Sequence, residues 1–238
     1  MDSGNIGFVL LCAAFVFVMT PGLAMFYGGL VRKKNVVNTM MTSIFIIGVG
    51  IVMWVLFGYS LSFAPSGNAF IGDFRWLGLE GVSLTEGYTD DASIPNMVFS
   101  AFQMMFAVIT PALITGAVAG RMKFKSIFVF TIFWSLIVYY PLAHMVWGQG
   151  GLLGADGIGA LDFAGGDVVH ISSGVSALVL CILLGKRHDY EHSIYRIHNI
   201  PTVVLGASLL MFGWFGFNAG SALAADGLAA HAFMTTGV

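Results

Sequence analysis

The chain has 238 residues, of which 58% are hydrophobic and only 9% are charged. Soluble globular domains carry about 25% charged residues, so this composition excludes that class and indicates an integral membrane protein. The formal net charge of −2 says little about partners, and we expect no nucleic-acid partner.

Six apolar stretches are long enough to cross a bilayer as helices, which takes about 20 residues each. Their predicted limits are 6–31, 37–63, 94–120, 124–147, 163–185 and 199–220, and a seventh stretch begins near Asp226. The pattern predicts an all-α, polytopic membrane protein. Met1, Asp2 and Ser3 lack the basic segment of a secretory signal, so the first stretch is expected to remain in the mature protein.

Positive charge is concentrated at one side of these spans. Nine of the ten basic residues lie in three clusters, which are Arg32, Lys33 and Lys34; Arg121, Lys123 and Lys125; and Lys186, Arg187 and Arg196. Short basic loops of membrane proteins stay in the cytoplasm. The N-terminus and the loops 64–92, 148–161 and 221–226 are therefore predicted to lie outside the cell membrane.

The first outer loop is acidic, and two interpretations of its charge stay open. Its carboxylates either enrich cations near a pore entrance or only solubilise the loop. They belong to Asp73, Glu80, Glu86, Asp90 and Asp91.

Cys12 and Cys181 both fall within apolar segments, as small core side chains do, so they do not indicate a disulfide or a metal site. The sequence also lacks the ligand spacing of a zinc site. We therefore expect neither a metal nor another cofactor.

Five spans precede the third basic cluster, and a repeat of an odd number of spans inserts upside down. Met25–Leu30 in the first span and Phe215–Gly220 in the sixth are both aromatic and rich in Gly. We expect a single transmembrane domain, 1–238, built as a helix bundle with an inverted five-helix repeat. The first repeat covers about 1–186, and an incomplete second repeat begins near 197.

His170 is an ionisable residue inside the fifth predicted span. Such a group is costly in lipid unless it faces protein or water, so by default it marks a route for an ion or a proton. Asp162 precedes it by about 12 Å of helix rise, which is too far for contact within one helix. Asp162 either caps the span through backbone amides or lends negative potential to a cation site.

The other histidines are weaker candidates. His144, near the outer end of the fourth span, is expected to pack or to form hydrogen bonds. His188, His192 and His198 fall in a basic, solvated loop, and His231 has no assigned role.

Five motifs give the chain a family resemblance. They are Thr20–Asn35, Phe102–Ala107, Ala143–Gly148, Asp162–His170 and Gly213–Ser221. Together they resemble the ammonium transporter, methylammonium permease and Rhesus protein family. The resemblance covers nearly the whole chain and implies transport of ammonium or ammonia, with methylammonium as a further substrate.

The resemblance implies three functional regions along a pore. An outer site recruits and desolvates the cation, a phenyl gate lies beneath it, and a hydrophobic pore passes neutral ammonia while the proton is handled separately. The implied residues are Phe106, Trp147, Ser221 and Asp162 in the substrate site, Phe102 and Phe217 in the gate, and His170 and Trp214 in the pore.

The chain departs from the family in its extent. Members have eleven spans, a second pore histidine in the later repeat and a cytoplasmic tail, which these 238 residues do not contain. The chain is the N-terminal part of a longer protein, or other chains complete the pore wall, or the product is inactive. The first interpretation is favoured because the chain stops inside an apolar run.

Three classes of function compete. The leading class is a transporter, which the resemblance makes a homotrimer in the lipid bilayer with a cytoplasmic regulatory protein as partner. The second is an ammonium sensor. The third is an intramembrane enzyme using His170 with Ser172 or Ser173, which is disfavoured because no acid is placed to orient the base. We therefore expect that the protein is not an enzyme.

Overall fold

The computed structural model describes residues 1–65, 68–155, 157–187, 190–192 and 194–238, and regular structure within these ranges is helical. The long helices are α1 (Ser3–Leu30), α2 (Lys33–Phe63), α3 (Asn96–Val118), α4 (Phe124–Trp147), α5 (Gly166–Leu184), α6 (Ile200–Gly220) and α7 (Gly227–Gly237). The first six are long and apolar enough to span a membrane. Their ends differ from the predicted ends by only a few residues, so the prediction of an all-α membrane bundle is confirmed.

Helix α3 lies at the centre of the bundle, where it contacts α1, α2 and α5. Of its most apolar stretch, 67% is buried, compared with 22% for α5 and for α6. The buried hydroxyl of Thr110 donates to the carbonyl of Phe106 one turn earlier, at 2.6 Å. This internal bond satisfies a polar group that the surrounding apolar side chains could not satisfy.

Helices α1 and α6 pack along a seam of glycines. A Cβ added to Gly22 would lie 2.9 Å from Leu209 Cβ, and one added to Gly29 would lie 2.5 Å from Val203 Cγ2. Small residues allow such close backbone approach between membrane helices. The residue numbers of α6 at these contacts fall as those of α1 rise, so the two helices are antiparallel. An inverted repeat would also give its first helices opposite directions, and the repeat itself stays a prediction.

The seam predicts a steric penalty at Gly206, where a Cβ would clash with the backbone nitrogen of Phe26 and lie 2.6 Å from Gly22 O. We expect Gly206→Val to destabilise the protein by about 1–3 kcal/mol through overpacking, seen as a lower thermal unfolding midpoint in detergent. The control is Gly174→Val in α5, which also places a β-branched residue inside a helix but has nothing within 4 Å of its added Cβ. Equal shifts for the two variants would contradict this account of the seam.

The two ends of the bundle carry opposite charge. At one end, Asp2 N donates to Ser93 O at 2.8 Å, and Gln149 N donates to the Tyr88 hydroxyl at 3.0 Å. We call this end the acidic face, because its 68–95 loop carries the carboxylates named above. Arg32, Arg121 and Arg187 lie at the other end, the basic face.

Arginine side chains tie the loops of the basic face together. Arg121 Nη1 donates to Gly185 O at 3.0 Å, and Arg121 also bonds the carbonyl of Ala117. Carbonyls at the C-terminal ends of helices lack partners within the helix, so this side chain satisfies groups at the ends of both α3 and α5. The guanidinium groups of Arg32 and Arg187 lie 5.1 Å and 4.4 Å from the ring centre of Tyr195.

Three π-helical turns interrupt the spans at Trp54–Gly58, Ser135–Tyr139 and Gly166–Ile171. The hydropathy pattern did not predict them. Such turns are frequent at functional sites because they re-aim side chains within a helix. The third turn begins α5 and carries His170.

Candidate functional site

A cavity of about 420 Å³ opens at the acidic face between the ends of α3, α4 and α6. Helix α3 contributes Phe102 and Phe106, the end of α4 contributes Trp147, and Ser221 directly follows α6. Asp162, from the loop before α5, also lines the cavity. The structure thus brings the four predicted substrate-site residues together in one pocket.

Aromatic rings form a continuous column from this cavity into the bundle. The ring centre of Phe106 lies 6.1 Å from that of Trp147, at an interplanar angle of 87°. It lies 4.9 Å from the Phe102 ring and 4.3 Å from the Phe217 ring. The three phenyl rings are each 1% exposed, and two of them, Phe102 and Phe106, line the cavity.

His170 and Trp214 lie at the lower end of the column. The imidazole is stacked on the indole of Trp214, with 5.3 Å between ring centres and 14° between planes. Its ring centre is 5.9 Å from that of Phe217. Phe217 therefore lies between Phe106 and the half-buried His170, whereas Phe102, the other predicted gate residue, lines the cavity.

Asp162 anchors the start of α5. Its Oδ1 accepts from the backbone amides of Gly165 and Gly166 at 2.5 Å and 2.8 Å, and its Oδ2 accepts from Asp167 and Val168 at 2.8 Å and 3.0 Å. These amides have no acceptor within the helix, so the carboxylate caps it. This geometry is the capping alternative of the sequence analysis, now in a π-helical turn.

The same residue positions the indole of the cavity. Trp147 Nε1 donates to the backbone carbonyl of Asp162 at 2.8 Å. Gly165 allows the intervening turn, since its φ of 109° is unfavourable for other residues and an added Cβ would lie 2.6 Å from Val169 Cγ2. A single aspartate therefore links the helix start to the wall of the cavity.

The hydroxyl of Ser221 is oriented for accepting hydrogen bonds from the cavity. Its Oγ donates to Phe217 O at 2.9 Å, so its proton is engaged and its lone pairs stay available. A cation with N–H groups could donate a hydrogen bond to these lone pairs.

The acidic loop forms part of the cavity rim, where Tyr88 and Asp91 both line the pocket. Burial raises the pKa of Tyr88 to about 12, so the phenol stays neutral while it accepts from Gln149 N. Asp73 is paired instead with Arg75 at 2.7 Å, which lowers the pKa of the Asp73 carboxyl mainly through its side-chain hydrogen bond. No sequence pattern distinguished the rim carboxylate of Asp91 from the paired carboxylate of Asp73.

Other candidates lie outside this column. His144 is fully buried, with Nδ1 3.1 Å from Ser62 O and Nε2 2.7 Å from Asn68 O, which confirms its hydrogen-bonding role. Ser172 and Ser173 donate to carbonyls of Val168 and Val169 at 2.5 Å and 2.6 Å, so their protons are engaged within the helix. His188 lies outside the described residues.

Comparison with known proteins places this geometry in a family. The model of the Ammonium Transporter Family matches residues 7–238. The chain belongs to the ammonium transporter family. It is 52% identical over 236 residues to the ammonium transporter of Bacillus subtilis, an alignment that covers 99% of this chain and 57% of the relative. It is 42% identical over 236 residues to the ammonium transporter Amt1 of Archaeoglobus fulgidus, covering 99% of this chain and 57% of that relative.

Solved structures of the ammonium transporter family share the fold. The crystal structure of Mep2 from Candida albicans superposes with a TM-score of 0.88 at 33% identity, covering 100% of this chain and 52% of that one. A sensor Amt protein superposes with a TM-score of 0.85 at 28% identity, covering 98% and 58%. The chain thus spans about half the length of the relatives that it matches.

Proposed function

We propose that this chain forms the substrate-binding half of a pore that carries ammonium across the membrane as ammonia. The observation that supports the proposal is the column that runs from Trp147 through Phe106 and Phe217 to His170. One end of the column is an open cavity, and the other end is an imidazole inside a membrane span. Family membership supports ammonium as the substrate.

Recruitment in the cavity uses two kinds of contact. The faces of Phe106 and Trp147 replace part of the hydration of a cation, each by about 1–2 kcal/mol once water is excluded. Ser221 Oγ accepts a hydrogen bond from ammonium. A potassium ion has no N–H to donate, so the hydroxyl favours ammonium by geometry.

Passage below the cavity favours the uncharged species. Phe102 and Phe217, the proposed gate, are almost completely buried, and the contact of their rings compensates an ion for only a small part of its lost hydration. Moving a charge into such surroundings is far more costly than moving ammonia. The proton therefore leaves the substrate near the gate, and His170, which can accept at one ring nitrogen, is placed to receive or relay it.

Location, orientation and assembly complete the proposal. The basic face carries the arginine clusters, which supports placing it in the cytoplasm and the acidic face outside the cell membrane. The family resemblance further implies a homotrimer, methylammonium as a second substrate and a cytoplasmic regulatory protein as partner. The rim carboxylate Asp91 supports the interpretation that the acidic loop enriches cations at the entrance.

The test of recruitment is Trp147→Ala in the full-length protein, measured as ammonium uptake into liposomes. Loss of about 1–2 kcal/mol of cation–π attraction should raise the apparent KM about five- to thirtyfold with little change in maximal rate. The control is Phe74→Ala, because this aromatic side chain in the acidic-face loop is 67% exposed. An unchanged KM in Trp147→Ala would show that the cavity does not lie on the transport route.

An ammonium sensor is the second candidate, favoured by the similarity to the sensor Amt protein. A sensor would bind ammonium in the same cavity but show little flux. Saturable quenching of tryptophan fluorescence by ammonium, together with no uptake in liposomes, would decide for the sensor.

A further inference from the structure

Gln103 belongs to the motif Phe102–Ala107, yet the function proposed above does not use it. Its side chain lines the cavity, is 8% exposed, and its Oε1 is buried without a hydrogen-bond partner among the described residues. A buried acceptor that lacks a partner is destabilising, because it has lost water and gained nothing in return. An unpartnered acceptor on a side chain that lines a cavity points to a donor on a ligand.

The helical spacing places Gln103 among the cavity aromatics. Phe99, Phe102, Gln103 and Phe106 occupy positions i, i+3, i+4 and i+7 of α3, and such positions lie on one helix face. All four line the cavity. Gln103 is the polar member of this otherwise aromatic stripe, so a packing role alone would have been served by an apolar side chain.

The chemistry of the cavity leaves a place for a second acceptor. Ammonium has four N–H donors in a tetrahedron. The faces of Phe106 and Trp147 and the lone pairs of Ser221 can meet three of these directions. The terminal torsion of glutamine has a broad energy profile, so a rotation of the amide turns Oε1 toward the cavity at small cost.

We propose that Gln103 is a second hydrogen-bond acceptor for ammonium in this cavity, acting with Ser221 to strengthen recruitment. This inference rests on the proposed function. Gln103 is a binding residue for the cation and not part of the gate or pore, so it should govern apparent affinity and not maximal rate.

The test compares two substitutions of similar shape in the full-length protein, using ammonium uptake into liposomes. Gln103→Met keeps the length but removes the oxygen, and we expect the apparent KM to rise about five- to tenfold at an unchanged maximal rate. Gln103→Glu keeps an acceptor in the same place and adds negative charge, so its KM should equal or fall below the wild-type value. If Gln103 had a purely structural role, Gln103→Glu would be the more damaging of the two substitutions, because an uncompensated buried carboxylate destabilises the protein more than a thioether does.

Two results would overturn the inference, and they are distinguishable. If wild-type uptake is saturable and Gln103→Met has the wild-type KM, or if Gln103→Glu raises the KM as much as Gln103→Met, the second acceptor is rejected while the proposed function stands. If the wild-type protein shows neither saturable uptake nor ammonium binding, the proposed function fails and the inference fails with it.

Discussion

Asp162→Ala should abolish ammonium uptake by unfolding the start of α5. The substitution leaves four backbone amides at 2.5–3.0 Å without their acceptor. Hydrogen bonds to a charged group contribute about 1.5–3 kcal/mol each, so their combined loss approaches the stability of a typical domain, about 5–15 kcal/mol. We expect little folded protein and a strongly lowered thermal unfolding midpoint in detergent.

Two milder variants separate the capping role from an electrostatic one. Asp162→Asn keeps one acceptor oxygen and should be intermediate in stability. Asp167→Asn removes a neighbouring carboxylate but leaves the backbone amide of residue 167 bonded to Asp162, so its unfolding midpoint should be close to that of the wild type. A stable, folded Asp162→Ala protein with only a raised KM would instead favour negative potential as the main role.

His170→Ala should impair passage and leave recruitment intact. The imidazole lies beyond Phe217 as seen from the cavity, so its removal changes what happens after binding. A hydrogen bond to a buried group contributes about 1–3 kcal/mol, so loss of the bond proposed between His170 and the passing substrate corresponds to a fall in ammonium-evoked current of about five- to 150-fold. The apparent KM should stay within about twofold of wild type, the reverse of the result expected for Trp147→Ala.

The measurement is current on solid-supported membranes loaded with the full-length protein, recorded with ammonium and with potassium. The space vacated by the imidazole next to Trp214 admits water, so potassium current should appear in His170→Ala. His192→Ala, which changes an exposed histidine of the basic-face loop, is the control. A wild-type ammonium current without potassium current in His170→Ala would show that this ring does not line the conducting path.

Hydropathy predicted the spans well because each must bury about 20 apolar residues in lipid, and the observed helices follow those stretches. The opposite directions of α1 and α6 also followed from the count of spans, but the packing of one on the other was not predicted. The contact residues Gly22, Gly29 and Gly206 were not predicted individually. Their role depends on which side chains oppose them across the seam, and this information lies in the other helix.

The candidate site was predictable where a residue belongs to a recognised motif, as Phe106, Trp147 and Ser221 do. The rim residue Tyr88 was missed, and Asp91 was named only as one of five carboxylates of the acidic loop, because an irregular loop has no periodicity to indicate which side chains face a cavity. The π-helical turn at His170 was also missed, because an insertion of one residue into a helical turn leaves the average hydropathy unchanged.

Backbone amides bind both carboxylate oxygens of Asp162, and this has a kinetic consequence for any cation in the cavity. A bare carboxylate there would hold the cation strongly and prolong its residence time. With that charge shared among four dipoles, a cation in the proposed site would meet mainly ring faces and neutral oxygens, which release it readily. Fast turnover in a pore requires binding that is selective yet shallow, and in the proposed pore this aspartate would secure the helix without holding the cation.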